Sequence, residues 1–284
     1  MKRVIDFLSA LNQNNNKVWF DEHKQDYKDV KAYFDNFVLD LVEAISDFDE
    51  TIYGLSVSDC TYRIYRDVRF SKDKTPYKTH IGAYVCPKGK KSGLGGYYFH
   101  VEPFGGRYLS SHLLATGVVC MPNDIIRSIR EDVFALNDEF EDAVAECKGF
   151  ELDLESMMKK MPKDFPKDCG IEALKLRDFL MVKNIDEEYL LKPNLVERLA
   201  KDFSSTRKFK EFINILHDFS HDLIVDLTAV LIVLGAGFGR DGEALGNGET
   251  DTGHFSKVGT LTAEKFTHGS VAFREKVAIL FAHG

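Results

Sequence analysis

Eight residues, Trp19, His23, Tyr27, Val30, Phe34, Phe37, Leu41 and Ile45, recur at steps of 4, 4, 3, 4, 3, 4 and 4, with Asp and Lys filling the positions between them. A helix turning every 3.6 residues brings such positions onto one face, so the spacing predicts a long amphipathic helix with an apolar stripe. After Asp47 the period changes. From Leu55 to about Val119 the chain runs in short stretches rich in Val, Ile, Tyr and Phe, punctuated by Gly and Pro, the texture of strands joined by tight connections. A helix that must bury its stripe, followed by strands that must bury a face, is satisfied when one covers the other.

The remaining elements extend this order. Val4 to Leu11 predicts a short first helix, and NQNNN supplies a break whose Asn side chains suit a turn and a helix start. Within the strand region TYRIYRDVRF, HIGAYVC, GGYYFHVE and RYLSSHLL read as successive members of a set of four or five, mainly antiparallel. Pro122 then suits the first turn of a helix through Ile125, Ile129 and Val133, and a mixed helical region continues to Asp222, interrupted by MPKDFPKD. The fold class expected is α+β: N-terminal helices, a central mainly antiparallel sheet, then C-terminal helices.

Composition adds a boundary. After Asp222 there is no Pro, Tyr, Trp, Met or Cys, and 10 of the 21 glycines fall there, so 1–222 reads as one domain and 223–284 as a Gly-rich C-terminal extension. Whether that extension is native, a fused fragment or a reading-frame artefact is left open. Five widely spaced cysteines without a CxxC pair argue against a disulfide framework or a cysteine zinc site. The start lacks the uninterrupted apolar stretch of a secretory signal, and no apolar run reaches the roughly 18–20 residues that span a bilayer, so the expectation is a cytoplasmic protein with no membrane contact.

Charge singles out the candidate site. The chain carries a net −8, yet Thr61 to Lys91 alone is +7, leaving the rest at −15. An acidic surround disfavours duplex nucleic acid, and a small anion or short phosphorylated segment suits a local cluster better. Read as a strand, Thr61 to Phe70 puts Arg63, Asp67 and Arg69 on one face and Arg66 on the other, with Asp67 placed to orient a guanidinium. The following SKDKTPYKTH reads as a loop whose Lys72, Lys74, Lys78 and His80 can turn toward the same ligand. The alternative is architectural: Arg63, Arg66 and Asp67 buried and mutually paired. Downstream, His100 and Glu102 alternate onto one strand face, able to act with His80 in proton transfer. His100–x–Glu102 is also a two-ligand metal fragment for which the sequence names no third ligand, so no metal is assigned. His217 and His221, four apart, and Gly235–x–Gly237, whose third glycine is displaced by Arg240, are weak metal and dinucleotide signals. No GxSxG, P-loop or HExxH motif is present, and no cofactor or oligomeric state can be named.

The stretch YRIYRDVRFSKDKTPYKTHIGAYV closely resembles the central motif of the bacterial and fungal family called domain of unknown function 2461. FLSALNQNNNKVWFDEHKQDY resembles its opening segment, and MPKDFPKDCGIEALKLRDFLMVKNI its later loop and the segment after it. The likeness covers roughly residues 1–222. It implies a single-domain cytoplasmic protein and carries over no activity. From the residues, the leading expectation is an anionic small ligand bound by Arg63, Arg66, Asp67, Arg69, Lys72, Lys74 and Lys78, with catalysis left open. The runner-up is a non-catalytic module for an acidic protein segment or a nucleic-acid end.

Overall fold

The computed structural model describes residues 1–155 and 157–215. The 223–284 extension, His217, His221 and the Gly235–x–Gly237 stretch therefore lie outside the described residues. Three helices open the fold: α1 (Lys2–Gln13), α2 (Lys17–Glu22) and α3 (Lys24–Ser46). The Asn-rich break works as its composition suggests, since the Asn16 side chain caps α2 by accepting the Trp19 N–H at 3.0 Å. The periodic stripe is not one continuous helix. The chain breaks at His23, whose Nδ1 lies 2.8 Å from the Trp19 carbonyl oxygen and whose ring stacks on the Trp19 indole at 4.1 Å. Beyond the break the stripe holds: Val30, Phe34, Phe37, Leu41 and Ile45 are all buried.

A one-turn α4 (Val57–Cys60) leads to a five-stranded sheet of β1 (Ile81–Val85), β2 (Gly96–Val101), β3 (His112–Val118), β4 (Glu151–Leu152) and β5 (Phe179–Ile185), in the order β1-β2-β3-β5-β4. Every pairing is antiparallel. The fold is thus α+β, with three strands before residue 119 and two after it. The expected strands TYRIYRDVRF and the front of RYLSSHLL are not formed. Conversely FLMVKNI, inside the region read as helical, is β5, the partner of the central β3. Between and after these strands come α5 (Asn123–Ala135), α6 (Asn137–Ala145), α7 (Glu187–Leu191), α8 (Leu195–Ser204) and the helical residues 207–215.

Alternation along β2 divides the molecule. Tyr97, Phe99 and Val101 are fully buried on the helix side, where Phe99 meets Phe34 and Phe37 at ring separations of 6.4 and 5.5 Å and Tyr97 meets Phe203 at 5.4 Å. Each such aromatic contributes on the order of 1.5–3 kcal/mol through burial. Deeper still, the Tyr97 hydroxyl and the Lys210 ammonium both donate to Asp49 Oδ2, at 2.8 and 2.6 Å, an ion pair almost wholly removed from water. The other face of β2 carries Tyr98 and His100, and the strand runs on into Glu102. That face borders a cavity of about 1110 Å³ lined by Tyr84, Tyr98, Leu113, Ala115, Leu180 and Val182. Among the described residues no helix is long and apolar enough to cross a membrane.

Candidate functional site

The basic stretch from residue 61 to 80 is an irregular arm, not a strand followed by a loop. Single bridges join Thr61 to Ala83 and Tyr65 to Tyr77, and the backbone bonds Arg66 N–H to Pro76 O (2.9 Å) and Lys78 N–H to Ile64 O (2.8 Å) fold the arm back on itself. Pro76 has no N–H to continue a ladder, and Asp73 accepts the Thr75 N–H in a side-chain turn, so pairing stops there. The arm is tied to the helices through Asn15, whose amide exchanges hydrogen bonds with the Tyr77 backbone at 2.8 and 3.1 Å.

With the strand gone, the expected two-face division of the cations goes too. Arg66, its side chain only 7% exposed, donates to Asp73 (2.7 Å), to the Thr75 carbonyl (2.9 Å) and to the Thr75 hydroxyl, and so binds the turn together. Asp67 orients Arg69 rather than Arg63, in a forked pair whose Nε–Oδ distances are 2.9 and 3.1 Å, but Arg69 is 76% exposed. The Arg69 hydrogen bonds hold the Asp67 carboxyl down at about 2. Lys74 donates to the Val68 and Arg69 carbonyls, while Lys72 and Arg63 are exposed. The fully architectural alternative is also not what forms, because Arg66 pairs with Asp73 and not with Asp67.

The buried end of the arm is different. Lys78, Thr79 and His80 are 4%, 2% and 4% exposed, and Lys78 and Thr79 line a cavity of about 350 Å³ with Arg66, Asp73, Arg107 and Tyr108. Burial, then the Arg63 and Arg66 guanidiniums, push the Lys78 ammonium down to about 7. Its Nζ lies 5.5 Å from the Tyr62 ring centroid. Arg107, on the facing loop, was not singled out in the sequence, where it sits inside a segment read as strand. The Arg107 N–H donates to Thr79 Oγ1 at 3.0 Å, and its guanidinium reaches Asp73 at 3.9 Å.

Behind this cavity His80, His100 and Glu102 converge, each buried, with one ligand-type atom from each lying within 4.8 Å of the others. Antiparallel register sets Gly82 opposite His100 and so brings the end of the arm beside β2. Glu102 accepts four hydrogen bonds: Oε1 from the Thr79 hydroxyl (2.6 Å) and Tyr108 N–H (3.0 Å), Oε2 from the N–H groups of Leu109 (2.6 Å) and Ser110 (2.9 Å). The 103–110 loop is thus wrapped on one carboxylate. Gly106 makes the wrap possible, for a Cβ there would stand 2.3 Å from Glu102 Cγ. Burial pushes the carboxyl up, but the His100 imidazole, the Thr79 hydroxyl, the Leu109 N–H and the His80 imidazole outweigh it and hold Glu102 well below its ordinary range.

His100 is wholly buried. Its Nδ1 lies 2.9 Å from the Tyr98 hydroxyl, while its Nε2 lies 3.6 Å from Glu102 Oε2, beyond hydrogen-bond length, and has no hydrogen-bond partner among the described residues. Burial lowers its pKa, against the pull of Glu102, and so favours the neutral imidazole. His80 Nδ1 lies 3.9 Å from Glu102 Oε1, and the His80 ring stands 4.8 Å from that of His100 and 5.1 Å from that of Tyr108. Of the three candidate proton-transfer groups, Glu102 is engaged by four donors, whereas His100 Nε2 has no hydrogen-bond partner among the described residues.

No curated protein and no solved structure matches the chain. A family model described as conserved hypothetical protein (DUF2461) matches residues 3–212, a span that includes the arm, the 103–110 loop and all three converging side chains.

Proposed function

Taking as premise that the chain belongs to the DUF2461 family, we propose that it is a cytoplasmic protein that binds a small phosphorylated or otherwise anionic ligand in the cavity between the basic arm and the 103–110 loop. The observation that carries this reading is the composition of that cavity wall. Among the described residues that line it are three cationic side chains, Arg66, Lys78 and Arg107, together with Asp73, which both arginines reach. An anion in the cavity would meet Arg107 as a forked donor and Lys78 as a point charge. Tyr108 adds an aromatic wall that joins this cavity to the larger one on the open sheet face. The binding set is therefore narrower than the whole basic stretch: Lys74 and Arg66 are engaged in holding the arm, and Arg69 and Lys72 point away into solvent. Should the protein act on its ligand, His80 and His100 are the groups suited to moving a proton.

A second reading has its own observation. Arg69 is 76% exposed and the neighbouring Phe70 is 86% exposed, a tip suited to contacting an acidic protein segment. A thermal-shift screen with inorganic phosphate, nucleotides and sugar phosphates separates the two. Stabilisation by an anion that weakens with salt, disappears in Lys78→Met and Arg107→Ala, and survives in Arg69→Ala supports the cavity. No stabilisation by any of them, or loss confined to Arg69→Ala, sinks it.

A further inference from the structure

We propose that His80, His100 and Glu102 bind a divalent first-row transition-metal ion. Two imidazole nitrogens and a carboxylate oxygen within 4.8 Å of one another, all buried, form a compact mixed nitrogen and oxygen donor set. The independent observation is His100 Nε2: it belongs to a side chain with no solvent exposure, it has no hydrogen-bond partner among the described residues, and it is aimed at the carboxylate. A buried polar nitrogen without a hydrogen bond is costly, and coordination removes that cost.

The geometry is close to what such an ion needs. Bonds of about 2.0–2.2 Å in a tetrahedron put neighbouring ligand atoms roughly 3.4 Å apart. His100 Nε2 lies 3.6 Å from Glu102 Oε2 and His80 Nδ1 lies 3.9 Å from Oε1, one imidazole beside each carboxylate oxygen, and with all three donor atoms within 4.8 Å of one another side-chain rotations must draw them together to close the set. One lone pair of Glu102 must be released, and the Thr79 hydroxyl on Oε1 is the single donor of the four that can turn away without moving backbone. The surrounding contacts already resemble the outer support of a metal site: the Tyr98 hydroxyl fixes His100 Nδ1, and backbone N–H groups fix the carboxylate. Gly82 is part of that support, since a Cβ there would stand 2.8 Å from the Tyr98 hydroxyl. Two imidazoles with one carboxylate suit Zn²⁺ or Fe²⁺ better than Mg²⁺ or Ca²⁺, which prefer oxygen-only ligation. This site stands independently of the anion reading, and either can fail alone.

The test is titration of Zn²⁺ and, for its visible spectrum, Co²⁺ into the full-length protein after treatment with a chelator. One equivalent should bind, and Co²⁺ should develop the absorption of a low-coordinate nitrogen and oxygen site. His100→Ala should lower the affinity by more than the roughly 10–100-fold that loss of an outer partner costs, and Tyr98→Phe, which keeps all three ligands, should fall within that range. If His100→Ala does not fold, Tyr98→Phe carries the same reading. Absence of saturable one-equivalent binding in the wild type, or binding unchanged in the variants, overturns the proposal.

Discussion

Glu102→Gln is the most informative single change, because it preserves volume and alters only charge and donor sense. The carboxylate accepts four hydrogen bonds, two on each oxygen. The amide of glutamine accepts on one side only. If its oxygen stays with Leu109 and Ser110, its NH₂ faces the Thr79 hydroxyl, which can rotate to accept, and the Tyr108 N–H, which cannot. One stranded N–H costs on the order of 1–3 kcal/mol, and each surviving bond loses roughly 1 kcal/mol as its acceptor becomes neutral. Tyr108 and Ser110 are half-buried and Leu109 is exposed, so water recovers some of this, and the net loss should be about 2–4 kcal/mol. For a chain of this size that lowers Tm by roughly 4–16 °C.

The pH dependence gives a second handle. The folded carboxyl lies below its ordinary 4.5, so its stabilisation is complete above that value and is lost as pH falls through the folded value. The gap between wild type and Glu102→Gln should therefore be full at pH 7 and shrink below about pH 4. Urea unfolding at pH 7 and at pH 3.5 measures both. A gap under about 0.5 kcal/mol at pH 7, the size of an ordinary surface substitution, refutes the view that this carboxylate organises the 103–110 loop.

Lys210→Met should cost about 3–5 kcal/mol by leaving Asp49 charged and buried, and the double variant Asp49→Asn, Lys210→Met should recover at least half, as read by denaturant unfolding; strictly additive losses would contradict the pairing. Asp132, pushed up to about 6 by burial and then by Glu131, binds its proton more tightly in the folded state, so stability should decline as pH rises from about 4 to 6, and Asp132→Asn should flatten that decline in pH-resolved thermal melts.

Much of the architecture was legible because it rests on local periodicity. The stripe from Val30 to Ile45 and the alternation that sets His100 and Glu102 together are properties of one helix and one strand, and both formed as spacing dictates. What failed was decided elsewhere in the chain. TYRIYRDVRF has the composition of a strand, but Arg66 finds its partners in Asp73 and Thr75, and the backbone follows that turn. FLMVKNI becomes a strand because β3, more than sixty residues earlier, offers it an edge, a pairing no local window contains. The candidate site shows the same division. His100 and Glu102 were legible as a pair, whereas His80 joins them only once Gly82 is set opposite His100. Arg107 and Tyr108 carry little signal beyond the PFGG turn, since the loop that brings their side chains to the cavity is held by backbone N–H groups, donating to Thr79 and Glu102, that any sequence possesses.

The two-sided use of β2 limits how this protein can change its length. Tyr97, Phe99 and Val101 serve the core while Tyr98, His100 and Glu102 serve the opposite face, so one residue added inside the strand would send the imidazole among the phenylalanines and an aromatic ring into the cavity. The same residue added at exposed Lys88, in the hairpin between β1 and β2, would disturb neither face. The core and the candidate site are thus written in alternate letters of one short strand, and an edit that shifts either must shift both.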